Sequence, residues 1–238
     1  MNIALVGYGK MGHAIETAAA ARGHAIVARI TTANRVDMDS PAFRQADVAI
    51  EFTTPAAALD NVLACLEQGV SVVSGTTGWN ERISEANYLA LKNELAFLHA
   101  SNFSVGVNIF FEVNQLLAKL MNGHPEYDIS LEETHHVHKK DAPSGTAITL
   151  AEQIITRNAN ITKWSLQHTG AAVLPITSHR MDEVPGTHIV RYNSAIDQIE
   201  IKHTAHSRDG FARGAVLAAE FICGKKGTFT MKDVLGIH

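Results

Sequence analysis

Long apolar runs are missing from this 238-residue chain, and none approaches the roughly 20 residues that a membrane span requires. That argues against membrane insertion. Cysteine is scarce: Cys65 and Cys223 are the only two. They form no C-x-x-C pair and no disulfide framework, so both are expected as buried reduced thiols, in keeping with a cytoplasmic protein. Excess positive charge is also absent. Lys and Arg total 20 against 24 Asp and Glu, and the net charge of −4 disfavours general nucleic-acid binding. The opening MNIALVGYGK lacks the basic flank and small-residue cleavage site of an export signal and is read as structure. Repeats and low-complexity linkers are lacking too. What remains, 46% hydrophobic and 18% charged residues, is the balance of a globular protein with room for one large core or two modest ones.

The first hundred residues alternate between two periodicities. Short β-rich runs occur at 2–6, 24–30, 47–52, 70–74 and 95–100. Between them, Met11, Ile15, Ala18 and Ala19 recur at helical spacing, and AAALDNVLACLEQG begins after Pro55 and stops at Gly69, as helices do. Strands apolar on both faces that alternate with helices predict a doubly wound, Rossmann-type α/β domain with a parallel sheet. After about residue 104 the pattern changes. Helices are expected near 107–121, 146–157 and 211–224. Half-exposed strands are expected at 127–134, 186–193 and 197–207. This predicts a second, smaller α+β domain.

The stretch GYGKMG sets Gly7, Gly9 and Gly12 between the first strand and the first helix. A dinucleotide's pyrophosphate needs a tight turn, a bare backbone and a helix N-terminus, and glycines at this spacing supply all three. The acidic residue usual some 20 positions later, which holds a ribose 2′-hydroxyl, is missing. Thr31, Thr32 and Arg35 stand there instead and suit a 2′-phosphate, which favours NADPH or use of both NADPH and NADH. SGTTGW (74–79) and ASNFSVGVN (100–108) follow later strands on the same carboxyl edge, where ligands of such sheets lie.

The densest cluster of chemistry is EETHHVHKKDAPSGTA (132–147). A metal site would draw on His136, His138 and Glu132 or Glu133. On a strand, however, His135 faces away from that pair, two lysines follow, and no ligand set of standard spacing completes the site. A solvated basic face is the bland alternative. The third reading is a pocket for a small acid. Ser144 suits a helix N-cap, so amides near Gly145 and Thr146 would face an anion, with Lys139, Lys140 and His136 adding charge. A histidine there can pass a proton near neutral pH.

ETHHVHKKDAPSGTA (133–147) resembles the substrate motif of the 4-hydroxy-tetrahydrodipicolinate (dihydrodipicolinate) reductase family, and the likeness extends to Gly7–Gly12, GTTG (75–78), NFSVGVN (102–108) and SRDGFARGA (207–215). The resemblance implies a nicotinamide-dependent reductase of the diaminopimelate route to lysine, acting on a small dicarboxylate as a homotetramer. It implies that His135 donates a proton and Lys139 assists, with His136, Ser144, Gly145 and Thr146 contacting substrate. The implied cofactor bed is Gly7, Tyr8, Gly9, Lys10, Met11, Gly12, Thr31, Thr32, Gly75, Thr76, Thr77, Ala100, Ser101, Asn102 and Phe103, with Arg208 and Phe211 returning beside it. The implied domains are residues 1–103 plus 208–238 for the dinucleotide and 104–207 for substrate and tetramer, closing over the reactants. The chain departs from the family pattern in its shorter glycine loop, in Thr31 where many members carry an acid, and in HRMDEVPG (179–186), which lacks the usual Arg-Gly-Gly or Arg-Ala-Gly run. Rival readings are another two-domain nicotinamide oxidoreductase and a non-catalytic NAD sensor, which would keep the glycine loop without the histidine-lysine turn.

Overall fold

The computed structural model describes residues 1–167, 170, 172–207 and 209–237. In chain order the elements are β1 (Asn2–Val6), α1 (Lys10–Ala21), β2 (Ala25–Ile30), α2 (Pro41–Arg44), β3 (Val48–Glu51), α3 (Pro55–Glu67), β4 (Ser71–Ser74), α4 (Ile83–Lys92), β5 (Ala96–His99) and α5 (Val105–Met121). There follow β6 (Asp128–His135), α6 (Gly145–Arg157), β7 (Lys163–Ser165), β8 (Val173–Arg180), β9 (Gly186–Asn193), β10 (Gln198–Ala205), α7 (Asp209–Ile222), β11 (Gly227–Phe229) and α8 (Met231–Leu235). They form two compact units, Met1–Val105 with Asp209–His238, and Gly106–Arg208.

In the first unit six parallel strands run in the order β11-β5-β4-β3-β1-β2. Successive side chains of a strand face opposite ways, and here both faces are apolar. Ile3, Leu5, Val48, Ile50, Val73 and Leu98 pack on one side with Ile15 of α1 and Ala212, Ala215, Val216 and Ala219 of α7. Ala4, Val6, Ala49, Val72 and Phe97 pack on the other with Leu59, Val62 and Leu66 of α3 and Ala86 and Ala90 of α4. Strands buried on both faces have no use for alternation, which is why they read as near-continuous apolar runs. Helix α3 opens on Pro55, a residue suited to a first turn whose amide has no partner in the helix.

The second unit is a mixed sheet in the order β10-β9-β6-β8-β7. β9 pairs antiparallel with β6 and β10, whereas β8 pairs parallel with β6 and β7. One face meets α5 and α6 through Leu131, Leu174, Ile176, Val190, Phe110, Leu150 and Ile154. The opposite face is polar: Arg191 bonds Glu132 and Glu200 at 2.7 and 2.6 Å. Asn114 of α5 donates to the Leu150 carbonyl of α6 at 3.1 Å and fixes how the two helices meet.

The second strand set corrects two expectations. β8 is a full eight-residue strand that no alternating run announced. Cys65 is buried as expected, but Cys223 is exposed, because it lies one residue beyond the last turn of α7.

Candidate active site

Two groups of residues are candidates for the chemistry, one in each unit. In the first, β1 delivers the chain into a turn that glycine alone permits. Gly7 has φ +93°, and a Cβ there would stand 2.0 Å from the Phe52 carbonyl oxygen. A Cβ on Gly12 would lie 2.5 Å from the Gly7 carbonyl, whereas one on Gly9 would meet nothing within 4 Å. Gly7 and Gly12 thus close the turn on itself, and Gly9 leaves space open at the start of α1. That helix has no side-chain cap and no acid in its first turn, so its orphan amides remain available to an anion. Lys10 and Met11 begin the helix there. A cavity of about 380 Å³ adjoins the turn, lined by Gly7, Tyr8, Gly9, Thr31, Thr32 and Arg35 among others. These residues fit a dinucleotide.

Side chains around the cavity are held by local bonds. Tyr8 donates to Glu16, which also pairs with Arg29. Arg29 first and Tyr8 second hold the Glu16 carboxyl down at about 2. Thr31 caps the following 3₁₀ turn through Asn34, and Arg35 donates to Asn61 and to the Asp60 carbonyl at 3.1 and 3.2 Å.

The GTTG loop hangs on a group that sequence reading missed. Glu51, at the end of β3, is fully buried and accepts hydroxyl bonds from Ser74 at 2.6 Å, Thr76 at 2.7 Å and Thr53. The Thr76 carbonyl also receives the Trp79 indole at 2.7 Å and faces His99 at 3.0 Å. The Thr76 side chain therefore anchors the loop, and exposed Thr77, two residues beyond Gly75, is the one presented outward. Phe103 needs a similar correction: it is 2% exposed within the core beside Ala212 and Ala215, so its ring supports the fold. Ser101 is exposed, and Ala100, Asn102 and Phe211 are half-buried. Arg208 lies outside the described residues.

In the second unit β6 ends at His135, β9 begins at Gly186 and α6 begins at Gly145. Along β6, Leu131, Glu133 and His135 share the buried face, as period-2 alternation requires. Antiparallel register sets His188 of β9 directly opposite Glu133. Residues 136–138 are a turn and no strand, so the geometry first used to weigh His136 with His138 does not apply. Their rings stand 6.2 Å apart.

Glu133 is the hub. Fully buried, its Oε2 accepts the Ser144 amide at 3.0 Å and lies 3.6 Å from His135 Nε2 and 3.7 Å from His188 Nε2. Arg180 reaches Oε1 at 3.3 Å. Burial pushes the carboxyl up, but bonds from His188 and Ser144 outweigh it and hold the group well below its usual range. The two Nε2 atoms of His135 and His188 are 3.3 Å apart. His135 is 9% exposed, and burial first, then His188, depress its pKa to about 4 against a smaller opposing pull from Glu133.

The start of α6 is built as expected, with one reassignment. Ser144 caps the helix by accepting the Ala147 amide at 3.2 Å. Its hydroxyl also lies 3.1 Å from His188 Nε2, and the residue is 3% exposed, so it supports the site from behind. Gly145 is exposed and Thr146 half-buried, and their amides face outward from the first turn. Lys139 forms a two-pronged bond to Asp141 at 2.8 Å. Arg180 donates to the carbonyls of Lys139 and Asp141, tying this turn to Glu133. The ensemble holds one buried carboxylate, one exposed carboxylate, two imidazoles and two cations around a helix start, which suits a small anion that must receive a proton.

Comparison with known proteins identifies the family. The family model described as dihydrodipicolinate reductase, N-terminus, matches residues 1–103, and that described as dihydrodipicolinate reductase, C-terminus, matches 106–235. A curated 4-hydroxy-tetrahydrodipicolinate reductase of Christiangramia forsetii is 49% identical over 237 residues, 99% of this chain and 98% of the relative. Its counterpart in Nitrosomonas eutropha is 39% identical, covering 81% of this chain and 74% of the relative. Among solved structures, a dipicolinate-bound dihydrodipicolinate reductase from Paenisporosarcina sp. TG-14 shares the fold, with a TM-score of 0.76 at 22% identity over 97% of each chain.

Proposed function

The chain belongs to the dihydrodipicolinate reductase family, and we propose that it works through His135 as proton donor and Lys139 as the cation that grips the substrate. It is an NAD(P)-dependent oxidoreductase, a 4-hydroxy-tetrahydrodipicolinate reductase. The substrate loses its hydroxyl as water and gains a hydride and a proton to become tetrahydrodipicolinate, a step in the diaminopimelate route to lysine.

The substrate is a dianion at neutral pH. One carboxylate finds the amides of Gly145 and Thr146 at the positive end of α6. The other draws Lys139 away from exposed Asp141, whose bond to the lysine is the local alternative. His136 completes the contact. When bound, the reduced nicotinamide supplies the hydride. Hydride arrival builds negative charge on the conjugated nitrogen system, and an acid held beside it quenches that charge. His135 is neutral in the unliganded site, since its pKa of about 4 lies far below neutrality. An arriving dianion reverses the sign of the local field and brings a proton onto the imidazole.

Gly7, Gly9 and the start of α1 hold the pyrophosphate, and Thr77 with the 100–103 loop flanks the nicotinamide ribose. Thr31, Thr32 and Arg35 accept a 2′-phosphate, and no carboxylate stands directly after β2 to repel it, the first being Asp37, which supports use of NADPH alongside NADH. The first unit plus its returning helix serves the cofactor and the second serves the substrate. A homotetramer in the cytoplasm belongs to the same proposal. The exposed edge strand β10 supports it, because an open edge invites pairing with another copy.

One observation carries the reading: a single buried carboxylate gathers His135, Ser144 and Arg180 at the capped start of α6. The test is loss of reduced-nicotinamide absorbance with the fresh condensation product of pyruvate and aspartate semialdehyde. The wild type consumes cofactor. His135→Gln loses about 10²- to 10⁴-fold in turnover with cofactor affinity retained. Lys139→Ala weakens substrate binding and turnover together. Full activity in both variants would contradict the assignment.

A further inference from the structure

The geometry points to Glu133 and His188 as positioning residues for this reaction: they fix the ring of His135 and keep one proton on the His135–His188 imidazole pair. The inference rests on the reading of His135 as the acid.

Two ring nitrogens 3.3 Å apart cannot both carry hydrogen toward each other, so at most one of them donates to the other. Glu133 Oε2 stands nearly equidistant from both, at 3.6 and 3.7 Å, and favours a positive charge on the pair whichever ring bears it. Ser144 holds that oxygen from one side with its amide and approaches His188 from the other with its hydroxyl. None of these groups can swing away. Glu133, Ser144 and His188 are 0%, 3% and 4% exposed, and antiparallel register locks Glu133 opposite His188. The ring of His135 is fenced as well. A Cβ on Gly186 would stand 2.9 Å from its Cε1 and 3.2 Å from its Nδ1, so only glycine at the head of β9 leaves the ring this seat.

The other charges around the pair act against a proton. Arg180 lies on the far oxygen of Glu133, and Lys139, paired with Asp141, lies beyond it. From β10, His203 stands opposite His188 in register, its own pKa lowered by burial first and then by His188 and His206. Glu133 is thus the one acidic group in contact with the pair among the described residues. When His135 gives its proton to the substrate, the proton shared with His188 remains between two now-neutral rings, and Arg180 balances Glu133.

The two residues have opposite electrostatic effects on His135, and a pH profile separates them. Glu133→Gln removes the favourable charge, so the alkaline limb of kcat, which reports the substrate-bound complex, moves to lower pH by about one unit or more. His188→Gln removes the competing imidazole, so the limb moves to higher pH, while KM for NAD(P)H stays unchanged in both. Glu133→Asp restores part of the wild-type position. Limbs that stay in place, or that move in the same direction, overturn the inference. Where a variant fails to fold, the wild-type imidazole resonances decide. Residues 135 and 188 titrate as one coupled pair if the inference holds and as two independent sites if it does not. That coupling survives even if His135→Gln proves fully active, so failure of the functional reading is recognisable separately.

Discussion

The two candidate ligand sites of this chain are built to handle negative charge by opposite means. At Gly7–Gly12 the protein removes side chains, and an anion meets backbone amides at the open start of α1. At Ser144–Thr146 it crowds the start of α6 with ionisable groups: Glu133, His135, His188, Arg180 and Lys139. The first site has no histidine and no carboxylate in its turn, so its affinity depends chiefly on shape. In the proposed function the second couples substrate binding to a proton. A carrier of hydride needs holding still, whereas a substrate that must be protonated needs a site whose charge responds to it.

The largest consequence of this difference concerns acid. The folded pKa of His135, about 4, lies below the unfolded value of 6.5. The folded state therefore binds fewer protons, and the stability this group contributes is whole above pH 6.5 and is lost as pH falls through about 4. The full loss is about 3 kcal/mol. His99 and His203, also depressed by burial, act in the same direction. Denaturant midpoints followed from neutral pH into this window fall steeply for the wild type, and less steeply for His135→Gln. Equal slopes would erase the contrast between the two ends.

A smaller effect sharpens the contrast from the other side. In Gly12→Val the new side chain drives its Cβ against the Gly7 carbonyl. NAD(P)H binding weakens by about tenfold to a hundredfold, while the pH profile of turnover is unmoved. A shifted profile would mean that the glycine turn also controls the proton.

The same contrast explains what the sequence revealed. The glycine turn is local: strand, turn and helix lie within twenty residues, and each glycine answers to its neighbours, so GYGKMG could be read without coordinates. The Ser144 cap was legible for the same reason, since a cap is a relation between adjacent residues. GTHIVRYN reads as the strand it is, from Gly186 to Asn193. Its His188 did not read as functional, because only antiparallel pairing sets it against Glu133, far away in the chain. Glu51 was hidden similarly: two of its three hydroxyl partners, Ser74 and Thr76, lie at the end of β4 and just beyond it, and only parallel pairing brings them alongside. β8 escaped because VLPITSHR carries a proline and shows no clean alternation, and β11 because three residues at a sheet edge carry little pattern. Thr76 and Phe103 sit in the predicted loops but point inward, a direction that composition does not specify.

The central claim is that a dianion and a proton arrive together at the corner formed by His135 and the start of α6. Calorimetry of dipicolinate binding to cofactor-loaded protein, repeated near neutral pH in buffers of different ionisation enthalpy, measures this directly. The account predicts uptake of about one proton per dianion in the wild type and almost none in His135→Gln. Binding without proton uptake in the wild type, or uptake that persists unchanged in the variant, would contradict it.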